Sequence, residues 1–493
     1  MLKQNREPGK ILIIGAGVGG LTAGIILAKL GYPVTIAEKN PQAGGLMRGY
    51  RRQGFDCPVG VHYLGSLDSG QPLRRLWNYL GVAENIPLER MGTSGPIDRY
   101  VFDDFHFDLP EGVPALEENL LRAFPEEHTQ IASVMAELTE VSDSFARLDM
   151  LLSPEGVPVS VESFSPMGEH LARLGCSERL KSVLGVPSML IGLSLQECPL
   201  FYYYLTLSSY LLSSWRLRDN SSRMAEAFAE RFRALGGQLI VADGVEHIFV
   251  ESGRIRGGQL QSGLEIDADT IIAAVHPQNV AAMLSGGELR PDQAERIERL
   301  ENTKGLFVVT LAVDGNVHEA LPYNLYLLHP EADGTLVRGS FLQIRRGNQP
   351  GTSLMTMMAT SGIEEWQPWE RSRSGQRGGD YEQKKMNRAD EFITEATKRF
   401  GPLKGKRIID IYTPLTIRDW VGSPGGSAYG IRRSSSQLMK TAFLNRSAIK
   451  GLFFAGQNIL APGIMGTTLG SFQVIKRIIG QEHFGRDVLE ELR

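Results

Sequence analysis

A glycine-rich turn near the start of the chain constrains the fold more than any other feature. The turn at residues 15–20 follows the apolar run 11–14 and precedes a helical pattern over 21–30. A second apolar strand, 33–37, leads into Glu38. Strand, glycine turn, helix, strand and acid in this order predict a βαβ unit that binds a dinucleotide.

The residues of this unit have distinct physical roles. Gly15 permits the tight turn, Gly17 lets the backbone approach a pyrophosphate, and Gly20 allows close packing of helix on sheet. The helix N-terminus offers free N–H groups to the phosphates. Glu38 would accept hydrogen bonds from ribose hydroxyls. The alternative is a nucleotide-free fold that retains the turn for packing.

The composition narrows the class of protein. At 493 residues the chain is long for one domain, so we expect two. Its net charge is −4 and it has no basic stripe, which argues against a protein that binds nucleic acid. Cys57, Cys176 and Cys198 are scattered and the nine histidines lack ligand spacing, so we expect neither a disulfide framework nor a metal site. A reducing, cytoplasmic location fits, because the polar residues 1–10 lack a signal peptide's apolar core.

Motifs after the βαβ unit indicate which dinucleotide binds. The doublet Gly44-Gly45 precedes Leu46 and Arg48, and His62 follows in a second glycine-containing stretch, 60–65. Residues 15–48 resemble the start of an FAD-containing family of amine oxidases, phytoene desaturases, carotenoid isomerases and retinol saturases. The 60–65 stretch is similar to that of the saturases and isomerases in particular. This resemblance implies FAD rather than NAD.

The C-terminal part extends the resemblance. The runs 413–420 and 422–430 are similar to a segment of saturase-like proteins, and we expect Tyr429 to close over a flavin ring, unless the segment is an ordinary long loop. A last strand is predicted to end at Gly456, with a helix from near Gly466 to Ile479. In such FAD proteins the residue after that strand's glycine, here Gln457, holds the ribityl chain, and the helix N-terminus faces the flavin.

The resemblance implies a set of site residues. His62 and Tyr429 are the candidate catalytic residues, with His62 a proton donor or a positioning group, or else a structural histidine of the interior. In the family, the residue at the position of Val245 contacts the adenine, and a Gly-Gly pair usually stands where this chain has residues 219–222. The implied cofactor-binding residues are Gly15, Gly17, Gly19, Gly20, Glu38, Lys39, Gly44, Gly45, Leu46, Arg48, Val59, Gly60, His62, Val245, Gly456, Gln457, Gly466, Thr467 and Thr468.

Two middle regions are expected to form a substrate domain. Residues 199–215 are strongly apolar but too short and too rich in serine to span a membrane. They would form a buried helix, line an apolar substrate tunnel, or lie on a membrane surface. Residues 305–360 alternate like the strands of an antiparallel sheet. We expect residues 365–386 to be a surface loop and a helix to start near Ala389.

These observations combine into one predicted architecture, an α/β fold with an α+β substrate domain. A Rossmann-like FAD-binding domain of the glutathione-reductase and amine-oxidase type would consist of residues 1–90, 215–290 and 440–493. An interleaved substrate domain, a helical cap plus an antiparallel sheet, would consist of residues 91–214 and 291–439. No second glycine motif follows a strand, so an external electron donor or acceptor is expected.

The resemblance favours an FAD-dependent oxidoreductase that acts on carbon–carbon bonds of a hydrophobic isoprenoid polyene. Saturation, desaturation and cis–trans isomerisation of a carotenoid or retinoid-like molecule all stay open. One alternative is a flavin amine oxidase acting on a small amine. Another is a non-catalytic lipid-binding protein similar to the Rab GDP-dissociation inhibitors. Peripheral association with a membrane surface is a further expectation.

Overall fold

A five-stranded parallel sheet carries the glycine turn. The computed structural model describes residues 9–152, 160–218, 222–331, 334–336, 338–445 and 447–492, so residues 1–8 and most of the segment replacing the family's Gly-Gly pair, 219–221, lie outside the described residues. The strand order is β10-β2-β1-β14-β20. The strands are β1 Ile11–Ile14, β2 Val34–Ala37, β10 Gln238–Ile240, β14 Thr270–Ala273 and β20 Leu452–Phe454.

Cover on both faces of the sheet explains why the first strand is apolar throughout: Ile11 and Ile13 belong to the apolar core formed with helices, and Leu12 and Ile14 to the core formed with residues 245–260. All four residues of β1 are buried, as expected for a strand in a covered parallel sheet. Helix α1 (Val18–Lys29) packs against α9 (Ser222–Ala234) and α14 (Gly463–Ile479). Helix α14 begins three residues before the predicted Gly466, because Pro462 with extended backbone occupies its N-cap.

A seven-stranded sheet forms the second layer. Its order is β19-β15-β18-β17-β16-β7-β8, and all neighbours are antiparallel except the pair β16–β7. The predicted antiparallel sheet is therefore confirmed, with one parallel junction. The strands are β7 Asp98–Val101, β8 His106–Leu109, β15 Gly305–Asp314, β16 Asn324–His329, β17 Arg338–Arg346, β18 Thr352–Ser361 and β19 Arg407–Tyr412.

The predicted surface loop at residues 365–386 was largely wrong. Ile363–Trp369 forms a short 3-10 helix, and helix α12 spans Gly378–Phe400. The helix therefore begins eleven residues before the expected Ala389. Packing decides this region: the fully buried Trp366 stacks on Phe307 of the seven-stranded sheet with ring centroids 5.8 Å apart.

The apolar stretch at residues 199–215 forms the buried helix α8, Leu200–Leu212. No side chain of this helix is exposed, which supports the buried-helix interpretation. Among the described residues, no helix combines the length and apolar composition that crossing a bilayer requires. The helices that precede it in this part of the chain are α3 Val113–Ala123, α4 His128–Ala146, α5 Asp149–Leu152, α6 Met167–Leu174 and α7 Glu178–Met189.

Smaller elements complete the fold. Three small sheets are formed by β3 Gly49–Arg52 with β4 Phe55–Pro58, by β5 Leu64–Gly65 with β9 Ser214–Leu217 and β6 Leu88–Met91, and by β11 Val245–Glu251, β12 Arg254–Leu260 and β13 Glu265–Asp267. The other helices are α2 Pro72–Leu80, α10 Pro277–Met283, α11 Pro291–Glu298, α13 Pro414–Val421, α15 Gln481–Phe484 and α16 Glu490–Leu492.

Candidate active site

The glycine turn and the glycine doublet lie directly against each other. Gly15 has φ +92°, a conformation that favours glycine. A Cβ atom on Gly45 would lie 3.1 Å from the Cα of Gly17, whereas a Cβ on Gly17 would meet no heavy atom within 4 Å. Gly17 is the N-cap of helix α1, so this open space adjoins the free N–H groups of the first helical turn. The space suits an anionic group such as a pyrophosphate.

The last two glycines of the turn serve packing. A Cβ on Gly20 would lie 2.0 Å from the carbonyl oxygen of Gly15. A Cβ on Gly19 would lie 2.6 Å from the Cα of Gly456, in the turn after β20. The glycine turn of the N-terminal part and the turn after β20 therefore come within backbone contact distance beside the open space at Gly17.

Glu38 is buried at the end of β2 and faces the glycine turn. Its Oε2 accepts a hydrogen bond from the backbone N–H of Ala16 (2.9 Å), and its Oε1 accepts from the backbone N–H (2.9 Å) and the side chain (2.7 Å) of Asn40. The N–H of Asp243 donates to the Glu38 carbonyl oxygen (3.0 Å), which places the start of β11, with the buried Val245, at the same end.

Lys39 and Arg48 attach this region to the segment after β19. The Lys39 Nζ donates to the carbonyl oxygen of Asp419 (3.3 Å). The buried Arg48 donates from Nε to the Gly45 carbonyl (2.9 Å) and from its terminal nitrogen to the Trp420 carbonyl (3.4 Å). Arg48 therefore supports the glycine doublet, Lys39 contacts the segment at Asp419, and neither is among the residues that line the cavity described next.

A cavity of about 230 Å³ lies between the glycine motifs and the seven-stranded sheet. Predicted site residues from distant parts of the chain line it, namely Gly44, Leu46, Val59, Gly60, His62, Tyr429, Gln457 and Thr467. Many of the other lining residues come from the seven-stranded sheet, and the aromatic members of this second group are Tyr63, Tyr210 of helix α8, Tyr326, Phe341 and Tyr412. The structure thus brings the N-terminal, middle and C-terminal motifs to one space.

His62 borders this cavity as a neutral imidazole. Its ring lies beside Phe341 with centroids 5.5 Å apart, and no hydrogen-bond partner for its buried Nδ1 exists among the described residues. Burial, and then the nearby Arg345 cation, lower the pKa of His62 to about 3, although a hydrogen bond with Gln343 acts the other way. At neutral pH the ring is uncharged, which disfavours the expected proton donation by an imidazolium.

Tyr429 lines the cavity from the glycine-rich segment 422–430. Its backbone N–H donates to Thr303 Oγ1 (3.1 Å), and burial raises the pKa of its phenol to about 12. The hydroxyl of neighbouring Tyr412 donates to the carbonyl oxygen of Val59 (2.6 Å). The glycine-rich segment is therefore an ordered cavity wall rather than an ordinary surface loop.

The C-terminal residues divide between the cavity and the interior. Gly463 and Thr467, in the first turns of α14, line the cavity. Gly466 is a packing glycine, because its Cβ would lie 2.6 Å from the Cβ of Ala461. Thr468 is fully buried, its Oγ1 finds no partner among the described residues, and it is not among the cavity's lining residues.

The sequence did not reveal a hydrogen-bonded array of polar side chains at the edge of the cavity. The Tyr63 hydroxyl donates to Asp98 Oδ2 (3.1 Å) and lies 2.9 Å from the Tyr326 hydroxyl. Asn324 Nδ2 donates to Asp98 Oδ1 (2.8 Å), and Gln343 Nε2 donates to Asn324 Oδ1 (2.8 Å). Tyr63 directly follows the predicted His62 and could have been noticed there. Asp98 carried no signal, because its importance arises only from the register of β7 beside β16.

Comparison with known proteins identifies the family. The model of flavin containing amine oxidoreductases matches residues 18–471. The chain belongs to the flavin-containing amine oxidoreductase family. This family member is an FAD-dependent oxidoreductase, and the predicted family, fold class and cofactor are thereby confirmed.

Two curated proteins and one solved structure are similar to this flavin-containing oxidoreductase. It is 24% identical to the all-trans-retinol 13,14-reductase of Macaca fascicularis, over 95% of this chain and 85% of that protein. It is 25% identical to a 4,4'-diapophytoene desaturase (4,4'-diapolycopene-forming) of Methylomonas sp, over 62% of this chain and 61% of that protein. An oxidoreductase from Methanosarcina mazei shares the fold, with a TM-score of 0.65 at 16% identity, over 95% of this chain and 100% of that one.

The residues of this oxidoreductase fit FAD. The open space at Gly17 beside a helix N-terminus suits the pyrophosphate, and Glu38 has lone pairs left for a ribose hydroxyl. A long dinucleotide could then extend from the Glu38 end past Gly17 towards Gln457 and Thr467 at the cavity. When bound, the flavin supplies reversible hydride transfer, and the chain supplies binding, orientation and proton management.

Proposed function

We propose that this FAD-dependent oxidoreductase acts on carbon–carbon double bonds of a hydrophobic isoprenoid polyene, with saturation as the leading reaction. The cavity wall is the observation that carries the proposal. Apart from the exposed Lys304, its lining residues are glycines, aliphatic and aromatic side chains, and a few neutral polar groups. Such a surface binds a hydrocarbon through burial of apolar area, without a charged anchor.

A second chamber supports a long substrate. A space of about 100 Å³ borders the first cavity and shares with it the lining residues Leu64, Leu190, Tyr210, Gly463 and Ile464. Helix α8 contributes Leu205 and Thr206 to its wall. Two adjoining apolar spaces suit an extended chain better than a compact molecule. The buried-helix and tunnel-lining interpretations of residues 199–215 are therefore compatible with each other.

The charge of the cavity disfavours an amine substrate. Its one charged lining residue in the described part of the chain is the exposed Lys304, and no carboxylate lines it. A protonated amine entering this space would meet a like charge and no counter-ion, which opposes binding. The small-amine alternative is thus the weaker one.

The relatives favour the same substrate class. One relative's name specifies a retinol reductase and another's a diapophytoene desaturase, so both act on isoprenoid polyenes. Saturation is the leading reaction because the match to the reductase covers 95% of this chain.

We further propose two interleaved domains and an external electron donor. One domain consists of residues 1–90, 215–290 and 440–493, and the other consists of residues 91–214 and 291–439. Association with a membrane surface stays a prediction.

An anaerobic experiment separates the reactions. The holoenzyme is reduced with dithionite, a retinoid or carotenoid is added, and the flavin and polyene absorbances are followed together. Flavin reoxidation with loss of polyene conjugation supports saturation. A shifted polyene spectrum with the flavin still reduced indicates isomerisation. If no polyene responds and a primary amine reduces the oxidised flavin, the proposal is overturned.

A further inference from the structure

We propose that Tyr63 is the catalytic proton donor of this site and that Tyr326 and Asp98 are positioning residues that resupply its proton. This inference rests on the proposed reduction of a carbon–carbon double bond. Its basis is the hydrogen-bonded array of Tyr63, Tyr326 and Asp98 at the cavity wall. None of these three residues was implied by the sequence motifs.

The array reaches from the cavity into the interior. Tyr63 and Tyr326 both line the cavity, and their hydroxyls lie 2.9 Å apart. Asp98 is 1% exposed, and its Oδ2 lies 3.1 Å from the Tyr63 hydroxyl. A proton can therefore pass between the carboxyl group and the cavity through one phenol, without crossing bulk water.

The surroundings of Asp98 leave its carboxyl group partly protonated near neutral pH. Asn324 and Tyr63 donate to its two oxygens. Within the described residues, no lysine, arginine or histidine forms an ion pair with it. Burial raises the pKa of Asp98 to about 7, and the two donated hydrogen bonds only partly oppose this. A carboxyl that is partly protonated near pH 7 can both give up and regain a proton.

The other titratable groups near Asp98 keep the same charge around neutral pH. Tyr100 on the same strand, Tyr326 on β16 and Tyr210 on α8 are phenols, and burial raises the pKa of each. Arg99, next to Asp98 in β7, is paired instead with Asp108 of β8. Asp98 is therefore the group of this cluster that can change charge around neutral pH.

The reduction balances with one proton from this array. Saturation adds one hydride and one proton to the two carbons of a double bond, and the reduced flavin is the hydride source. The Tyr63 O–H bond breaks as the second C–H bond forms. The Tyr63 oxygen then takes the proton of the Asp98 carboxyl group, which becomes a carboxylate. The carboxylate regains a proton from solvent through Tyr63, directly or by way of the Tyr326 hydroxyl, once product leaves.

The array contrasts with the histidine expected from the sequence. His62 lies next to Tyr63 in the chain, but the pKa of its ring, lowered to about 3, leaves it without a proton to spare as an imidazolium. Its backbone carbonyl lies 3.4 Å from Gln343 Nε2, the outer amide of the same hydrogen-bond chain. His62 thus helps to hold the array in place, while the neighbouring Tyr63 lines the cavity.

Infrared spectroscopy tests the array without any substrate. Difference spectra of the holoenzyme between about pH 5 and pH 9 should contain the C=O band of a protonated carboxylic acid that is lost as the pH rises. Asp98→Asn should remove this band, and Tyr63→Phe should shift it. Tyr203→Phe is the matched control, because this buried phenol has no hydrogen-bond partner in the described structure and lines neither chamber. A band unchanged in Asp98→Asn overturns the proposal.

Kinetics then test the catalytic role with a polyene that the wild-type enzyme reduces. Tyr63→Phe should lower kcat by about 100-fold or more with little change in KM, since general acid catalysis typically contributes that much. Asp98→Asn should lower kcat and abolish its decrease as the pH rises through about 7. FAD content confirms that each variant is folded. An unchanged kcat in Tyr63→Phe contradicts the donor role.

The infrared and kinetic experiments test the array and the proposed function separately. If wild-type enzyme reduces no polyene while the infrared band behaves as expected, the proposed function is wrong but the proton-holding array exists. If polyenes are reduced and Tyr63→Phe is fully active, the function stands and the array is not the proton source.

Discussion

Gly19 and Gly456 are packed so closely that a Cβ atom on Gly19 would lie 2.6 Å from the Cα of Gly456. Real Cβ atoms do not approach a backbone atom so closely, so a side chain here would force the turn after β20 away from helix α1. The contact joins the first and last cofactor motifs of the chain. It sits beside Gly17, whose own missing Cβ leaves open space instead.

We predict opposite consequences for alanine at these two glycines. Gly17→Ala should fold normally, because Gly17 has φ −76° and nothing within 4 Å of its Cβ position, but FAD affinity should fall at least about tenfold, or 1.4 kcal/mol. Gly19→Ala should destabilise the apoprotein by about 1–3 kcal/mol through overpacking. Thermal unfolding of the apoproteins and FAD titration separate the two effects. A Gly17→Ala variant with wild-type FAD affinity would contradict the pyrophosphate assignment.

We expect Glu38 both to stabilise the glycine turn and to bind the cofactor. Glu38→Ala should weaken FAD binding by about 1–3 kcal/mol, because charge-assisted hydrogen bonds to ribose are lost. It should also lower apoprotein stability, because the N–H groups of Ala16 and Asn40 lose their acceptor. Glu38→Gln is the control that retains an acceptor oxygen without the charge. Equal FAD occupancy of wild type and Glu38→Ala after dialysis would rule out the ribose contact.

The stability of the folded protein should depend on the ionisation of Asp98. The pKa of this group is about 7 in the folded state against an ordinary value of 3.8, so between these values the folded state binds more protons than the unfolded chain. The free energy of unfolding should therefore fall as the pH rises from about 4 to 7, by about 1.4 kcal/mol per unit at most. Asp98→Asn should lose this component. Urea unfolding at several pH values measures it, and identical slopes in both proteins would refute it.

Leu205 should limit the length of the substrate. This residue of α8 lines the second chamber and is not among the residues lining the first. Leu205→Phe should fill part of that chamber and raise KM for a long polyene, while a short retinoid that fits the first cavity serves as the internal control. Steady-state kinetics with both substrates measure the ratio. An equal effect on both substrates would show that the second chamber does not hold the distal end.

The sequence predicted the cofactor half of the molecule well, because its signals are local. The strand, turn and helix around Gly15 follow one another in the chain, and glycine at a positive φ is required there whatever the rest of the protein does. The region 365–386 shows the opposite case. Its polar composition suggested a loop, yet Trp366 is buried against Phe307, a residue distant in the sequence, and that contact orders the segment.

The sequence by itself determined the βαβ unit, the family and the positions of the glycine turn, Glu38 and Gln457, since spacing along the chain defines each of them. Only the tertiary structure decided which groups lie together beside the cavity. Asp98 meets Tyr63 and Tyr326 because β7 lies parallel to β16 in a sheet that neither strand encodes alone. The same burial lowers the pKa of His62 and raises that of Asp98. Desolvation acts on a charge only after folding has removed water, so no motif can reveal it.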